Sequence, residues 1–160
     1  MMVGQKLKYG NEVMKISEEG KALIKKFEGC ELEAYQCAAG VWTIGYGSTH
    51  GVSEGMVISD ERAEALLLED IADYEDAVNE LITVPLSSNQ FSALVAWCFN
   101  CGINALKTST LRKVLQAEDY DGVPEQIKRW NKAGGKINEG LIRRREAEAL
   151  LFQFQDWSHI

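Results

Sequence analysis

One carboxylate stands where acid catalysis would use it. Glu28 follows Phe27 and precedes Gly29, at the end of an apolar-periodic stretch that opens at Ser17 and carries Leu23, Ile24 and Phe27. A carboxylate closing a helix meets the negative end of the helix dipole, and partial burial disfavours its charge further, so both effects raise its pKa. A carboxyl that keeps its proton near neutral pH can hand it to the leaving oxygen of a sugar acetal. The competing reading is a glutamate facing solvent beside Lys25 or Lys26, as exposed glutamates usually do. Other chemistries find less support. His50 and His159 are lone imidazoles without a matching Ser and Asp, so a hydrolase triad is not supported. Cys98 and Cys101 have zinc-knuckle spacing, but Cys30 and Cys37 are separated by six residues and Cys98 lies in an apolar helical run. No metal and no other cofactor is expected, and reduced thiols are the default.

The elements that must position Glu28 follow from periodicity. Ser17 as N-cap and Gly29 as stop predict a helix over roughly 18–28. Tyr35 and Gln36, a small-residue turn at Ala39 and Gly40, and then Val41 to Gly47 read as a short β-hairpin. From Ser59, Leu67, Ile71, Tyr74, Val78 and Leu81 recur at helical steps on an acidic background, which predicts one long amphipathic helix ending before Pro85. Ser87 with Gln90 is a capping box, and Leu86 with Phe91 a hydrophobic staple; they open a helix that is apolar nearly all round to Asn100, hence central and buried. Helical pieces near 109–117 and 124–132, a break at Ala133-Gly134-Gly135, and a last helix from about Gly140 complete the chain. All the strand signal sits in the first part, which makes the fold class α+β.

The chain of 160 residues is 46% hydrophobic and 26% charged with only two prolines, so disordered and fibrous classes are excluded and a single packed unit is expected. Its longest apolar run, Ala93 to Phe99, is far short of the ~20 residues of a spanning helix. The opening MMVGQKLKYGNEVMK holds no apolar block of signal length, so no export address and no membrane anchor are expected. The net charge of −7 argues against broad nucleic-acid binding, yet the charge is uneven. Ten acids and one Arg62 lie between Glu54 and Glu80, against seven basic residues and one Glu139 between Lys128 and Arg145. The basic stretch either holds an anionic polymer or is simply a solvated helix face.

Several separated strings occur together in order: Phe27-Glu28-Gly29, Ala34-Tyr35, Gly40-Val41-Trp42-Thr43-Ile44-Gly45-Tyr46-Gly47, Gln90-Phe91-x-Ala93-Leu94, Phe99-Asn100-x-Gly102, Arg129-Trp130 to Gly134-Gly135, and Gly140 to Glu148. Over about residues 16–154 this resembles the phage-type lysozymes, the endolysins of glycoside hydrolase family 24. The resemblance implies a single lysozyme-like domain: a small lobe with a β-hairpin (about 16–58), a long connecting helix (about 59–82) and a larger all-helical lobe (about 86–155). It implies a muramidase that hydrolyses the β-1,4 bond between N-acetylmuramic acid and N-acetylglucosamine in bacterial peptidoglycan, bound in a cleft between the lobes, causing host-cell lysis. Glu28 would be the proton donor.

The family pattern has an acid or its equivalent nine residues after the Glu and a Thr fifteen after it. Here those positions are Cys37 and Thr43. The resemblance makes Thr43 a residue that positions the attacking water or the second catalytic group; without it, Thr43 is an ordinary strand former. Cys37 departs from the commoner Asp and leaves three readings open: a thiolate base, a nucleophile forming a sugar thioether, or a quiet cysteine with water placed by Thr43. Trp42 and Tyr46 are candidate substrate-binding aromatics, while Trp97 and Trp130 are expected in the core. The implied partners are peptidoglycan and a separate holin-type pore, since the expected monomer would accumulate in the host cytoplasm and act on the wall after release. A lytic transglycosylase and a non-catalytic peptidoglycan-binding module are the alternatives.

Overall fold

The computed structural model describes residues 13–160. The opening stretch 1–12, on which the expectation about an export address largely rests, lies outside the described residues. The fold is α+β, rich in helix with two small two-stranded sheets. Helix α1 (Glu18–Glu28) begins where Ser17 caps it, with Gly20 N donating to Ser17 Oγ at 3.2 Å, and closes where Gly29 N donates to Lys25 O at 3.0 Å. Helix α2 (Asp60–Leu81) is the long amphipathic helix that the spacing predicts.

The described residues form two compact units, Ile24–Asp73 and 13–23 with 74–160, and α1 and α2 each contribute to both. In the Ile24–Asp73 unit, β1 (Glu31–Gln36) pairs antiparallel with β2 (Trp42–Gly45). Tyr35 lies opposite Thr43, Gln36 opposite Trp42 and Glu31 opposite Gly45, with an irregularity between Glu31 and Tyr35 that re-aims the start of β1. The passing chain extends this hairpin: Ala34 N donates to Met56 O and Ile58 N to Leu32 O, both at 2.9 Å. Ile24, Ile44, Ala63, Leu67 and Ile71 are fully buried here. Their removal from water is what stabilises so short a sheet, since an isolated two-stranded hairpin is marginal. The Ser48 hydroxyl donates to Asp70 Oδ2 at 2.6 Å and pins the end of the hairpin.

In the other unit, α3 (Ser88–Cys101) is the buried central helix. Its capping box is complete, with Gln90 N donating to Ser87 Oγ at 3.1 Å and Ser87 N to Gln90 Oε1 at 2.9 Å. Gly102 ends α3, but the chain at once re-enters helix as α4 (Ile103–Thr108), an element the composition does not announce. Then come α5 (Thr110–Gln116), a 3₁₀ turn (Tyr120–Gly122), α6 (Val123–Lys128) and α7 (Glu139–Phe152), whose N-cap Asn138 accepts from Leu141 N at 2.9 Å. Where only a break is expected at Ala133-Gly134-Gly135, a second hairpin forms from β3 (Lys132–Ala133) and β4 (Lys136–Ile137). Strands of two residues are too short to show an alternation.

On α7, Arg144, Arg145 and Glu148 are all buried. Arg144 Nε lies 3.1 Å from Glu148 Oε2, and Arg145 Nε 2.8 Å from Oε1 as an ion pair without hydrogen-bond alignment. Arg144 also donates to Ala96 O at 3.3 Å, and Arg145 to Asn100 Oδ1 at 2.6 Å and to the Cys101 sulfur, so this cluster joins α7 to the central helix.

Candidate active site

Glu28 is half-buried at the last position of α1, and it lines a pocket of about 440 Å³ together with Gly29, Cys30, Glu31, Tyr35 and Gly45. The pocket forms because α1 stops at Gly29 and the chain turns directly into β1, which sets the helix end against the start of the hairpin. Gly47, at φ +91°, passes close to the carboxyl: a β-carbon there would stand 3.3 Å from Glu28 Oε1. Glycine is needed at this point on two grounds, the left-handed backbone and the space taken by the carboxyl.

Thr43 is 4% exposed, in the middle of β2, and its hydroxyl donates to Val41 O at 3.0 Å. Cys37 sits in the tight turn between the strands, with its N–H donating to Val41 O at 3.0 Å and its carbonyl accepting from Gly40 N at 2.8 Å. The backbone amides of Val41 and Ala39, and after them the Thr43 side chain, hydrogen-bond the sulfur and hold the Cys37 thiol below the ordinary cysteine value. The Thr43 hydroxyl itself donates to the Val41 carbonyl beside this turn.

The other thiols behave differently. Burial raises Cys98 to about 12 and Cys101 to about 11, and it also raises Cys30, which pairs with the Tyr46 hydroxyl. All four cysteines are free, and no group of three potential metal ligands comes together among the described residues.

The two aromatics singled out for substrate binding are both half-buried and do not line the Glu28 pocket. Trp42 is the β2 partner of Gln36, and Tyr46 has Lys25 Nζ 5.7 Å from its ring centroid, with Lys25 also paired to Glu64. Tyr35 is the aromatic that does line the pocket, 41% exposed. The polar run Glu31-Leu32-Glu33-Ala34-Tyr35-Gln36 says only that this ring has little apolar company to bury it, not that it faces a pocket.

Residues 25–148 match the family described as phage lysozyme. The chain is 49% identical over 146 residues to an endolysin of Acyrthosiphon pisum secondary endosymbiont phage 1, covering 88% of this chain and 99% of that protein. Among solved structures, the endolysin from Escherichia coli O157:H7 phage FAHEc1 superposes with a TM-score of 0.83 at 41% identity, over 89% of this chain and 95% of that one. A mutant P22 lysozyme superposes with a TM-score of 0.82 at 37% identity, over 88% and 99%. The match spans Glu28, the hairpin and the buried arginines of α7, and by it this chain belongs to the phage lysozyme family.

Proposed function

We propose that this protein is an endolysin muramidase, which hydrolyses the β-1,4 bond between N-acetylmuramic acid and N-acetylglucosamine in bacterial peptidoglycan and so lyses the host cell. The observation that carries the reading is the half-buried Glu28 carboxyl on the wall of a pocket, in a chain whose relatives are named endolysins and lysozymes. Glu28 gives its proton to the glycosidic oxygen as the bond from the muramic acid C1 breaks. A water attacks that C1 and loses its proton to Cys37 as thiolate, while the Thr43 hydroxyl orients the water. The lowered Cys37 thiol supports this role over that of a packing residue, and the hydrogen bond between Cys37 and Thr43 supports their acting together.

The endolysin reading carries a route with it: accumulation of the monomer in the host cytoplasm and passage through a separate holin-type pore. No helix among the described residues is long and apolar enough to cross a membrane. Mass spectrometry of the soluble products from purified peptidoglycan tests the reading. Products carrying one added water per cleaved bond and a reducing muramic acid are expected. Anhydromuramic products would replace hydrolysis by a lytic transglycosylase, and wall binding without any product would leave only a binding module.

A further inference from the structure

Glu28 shares the wall of its pocket with a second carboxylate. Glu31, at the first position of β1, lines it too, and among the described residues no cation does. The lining lies entirely within the Ile24–Asp73 unit. Glu31 is exposed, and its side chain makes no hydrogen bond or ion pair with any described residue. The backbone keeps it uncovered. It stands opposite Gly45 in the ladder, and Gly45 has no side chain to lean over it. Gly45 has φ of +65°, and a β-carbon there would stand 3.4 Å from the β-carbon of Ala63, so conformation and packing both hold the position to glycine.

Cys30, between the two carboxylates in sequence, reports the field at this wall. Burial raises its thiol most and the Tyr46 hydrogen bond lowers it; the charges of Asp60 and Glu31 then raise it, each by more than Lys25 lowers it. Lys25 is itself engaged, paired with Glu64 and 5.7 Å from the Tyr46 ring centroid. A wall of net negative charge attracts a cation. A calcium-like ion takes about six to eight oxygens, and no group of three potential ligands comes together among the described residues. An organic ammonium needs one open carboxylate and gains from an aromatic face. Tyr35 offers that face, lining the same pocket and 41% exposed. In the muramidase reaction proposed above, the groups brought against Glu28 are amino sugars, whose nitrogen sits on C2 beside the C1 of the glycosidic bond. Acetylated, that nitrogen is neutral. Without its acetyl group it is an ammonium, and it arrives at the wall that Glu31 occupies.

We propose that Glu31 is a specificity residue for de-N-acetylated glycan: its carboxylate pairs with the free ammonium of a glucosamine seated against Tyr35. The pocket thereby accepts walls whose glucosamine has lost its acetyl groups. The choice of glycan rests on the muramidase reading above, whereas binding is measured separately from cleavage.

Titration of the full chain with two peptide-free tetramers tests it: tetraglucosamine, with its amines free, and its fully N-acetylated counterpart. Glu31→Gln should weaken tetraglucosamine binding by about three- to fivefold and Glu31→Lys by more, while both variants hold the N-acetylated tetramer within about twofold of the parent. Glu33→Gln removes an exposed carboxylate of the same strand that does not line the pocket, and it should leave both ligands within about twofold. The difference that depends on Glu31 should shrink in about 1 M salt. On glycan strands freed of peptide, Glu31→Gln should lower kcat/KM for the de-N-acetylated form by about three- to fivefold and leave the N-acetylated form in place. No loss from Glu31→Gln, or an equal loss for both tetramers, would overturn the proposal, as would the same loss from Glu33→Gln, which would reduce the effect to net charge. A parent that shows this Glu31-dependent preference yet releases no reducing sugar from either strand would contradict the muramidase reading and leave the amine site standing.

Discussion

The Glu28 carboxyl occupies the space that a side chain at Gly47 would fill, with Oε1 3.3 Å from the position of a β-carbon there. The end of the first helix and the end of the hairpin are therefore matched to each other through one missing methyl group. In the proposed reaction, any displacement of Glu28 moves the proton relative to the sugar oxygen that receives it.

Gly47→Ala should cost activity out of proportion to stability. The left-handed backbone at φ +91° penalises alanine by about 1–2 kcal/mol. A shift of the carboxyl by a fraction of an ångström to one ångström should lower kcat by roughly tenfold to a hundredfold. Reducing-sugar release, compared with thermal unfolding of the same variant, separates the two effects.

The role given to Cys37 predicts that a carboxylate can replace it. Cys37→Asp should retain turnover within roughly tenfold, and Cys37→Ala should lose about a hundredfold or more. The sign of the pH effect follows from the thiol. A base works once deprotonated, so activity should rise with pH through the Cys37 pKa, which its hydrogen bonds hold below the ordinary value of 9.0. In Cys37→Asp that rising limb should move to the carboxylate range near about 4. A pH–rate profile of kcat/KM for the two proteins checks this, and an unmoved limb would take Cys37 out of the proton transfer.

Alkylation should follow the same order. At mildly alkaline pH, iodoacetamide should modify Cys37 first, then Cys30, whose thiol is raised, and last Cys101 and Cys98, raised by burial to about 11 and about 12. Peptide mapping against time gives the order, and wall lysis should fall in step with the Cys37 adduct. Full activity with Cys37 completely modified would leave it no chemical part.

Glu148→Gln tests the cluster that joins α7 to α3. It removes the carboxylate that Arg144 and Arg145 both reach, in a fully buried setting. Breaking such a pair by removing one partner costs about 3–5 kcal/mol, so the melting temperature should drop by roughly 10 °C. Calorimetry reads it directly.

Much of this was legible before any coordinates. Ser17, Ser87 and Gln90 announce helix starts because capping is local chemistry, and α2 announces itself because twenty-two residues carry the period many times over. The hairpin β1–β2 is visible through its β-branched and aromatic second strand. The hairpin at Lys132–Ile137 is not, because two-residue strands carry no period and only the paired glycines hint at a turn. Helix α4 hides behind Gly102, which stops one helix and begins the next. At the site, Glu28 is placed by the helix end, but what singles it out from an ordinary solvent-facing glutamate is the resemblance of Phe27-Glu28-Gly29 and the strings after it. Tyr35 could not be picked out, because whether an exposed strand aromatic faces a pocket depends on the register with Thr43 and on the irregularity between Glu31 and Tyr35, which no local pattern encodes.

Glu28→Gln is the most direct measurement. The amide keeps the shape of the side chain and cannot donate an acid proton, so the variant should fold, unfold near the parent temperature, and still sediment with purified sacculi. Its release of reducing sugar should fall by roughly a thousandfold or more. Release at the parent rate from the folded variant would show that Glu28 is not the acid.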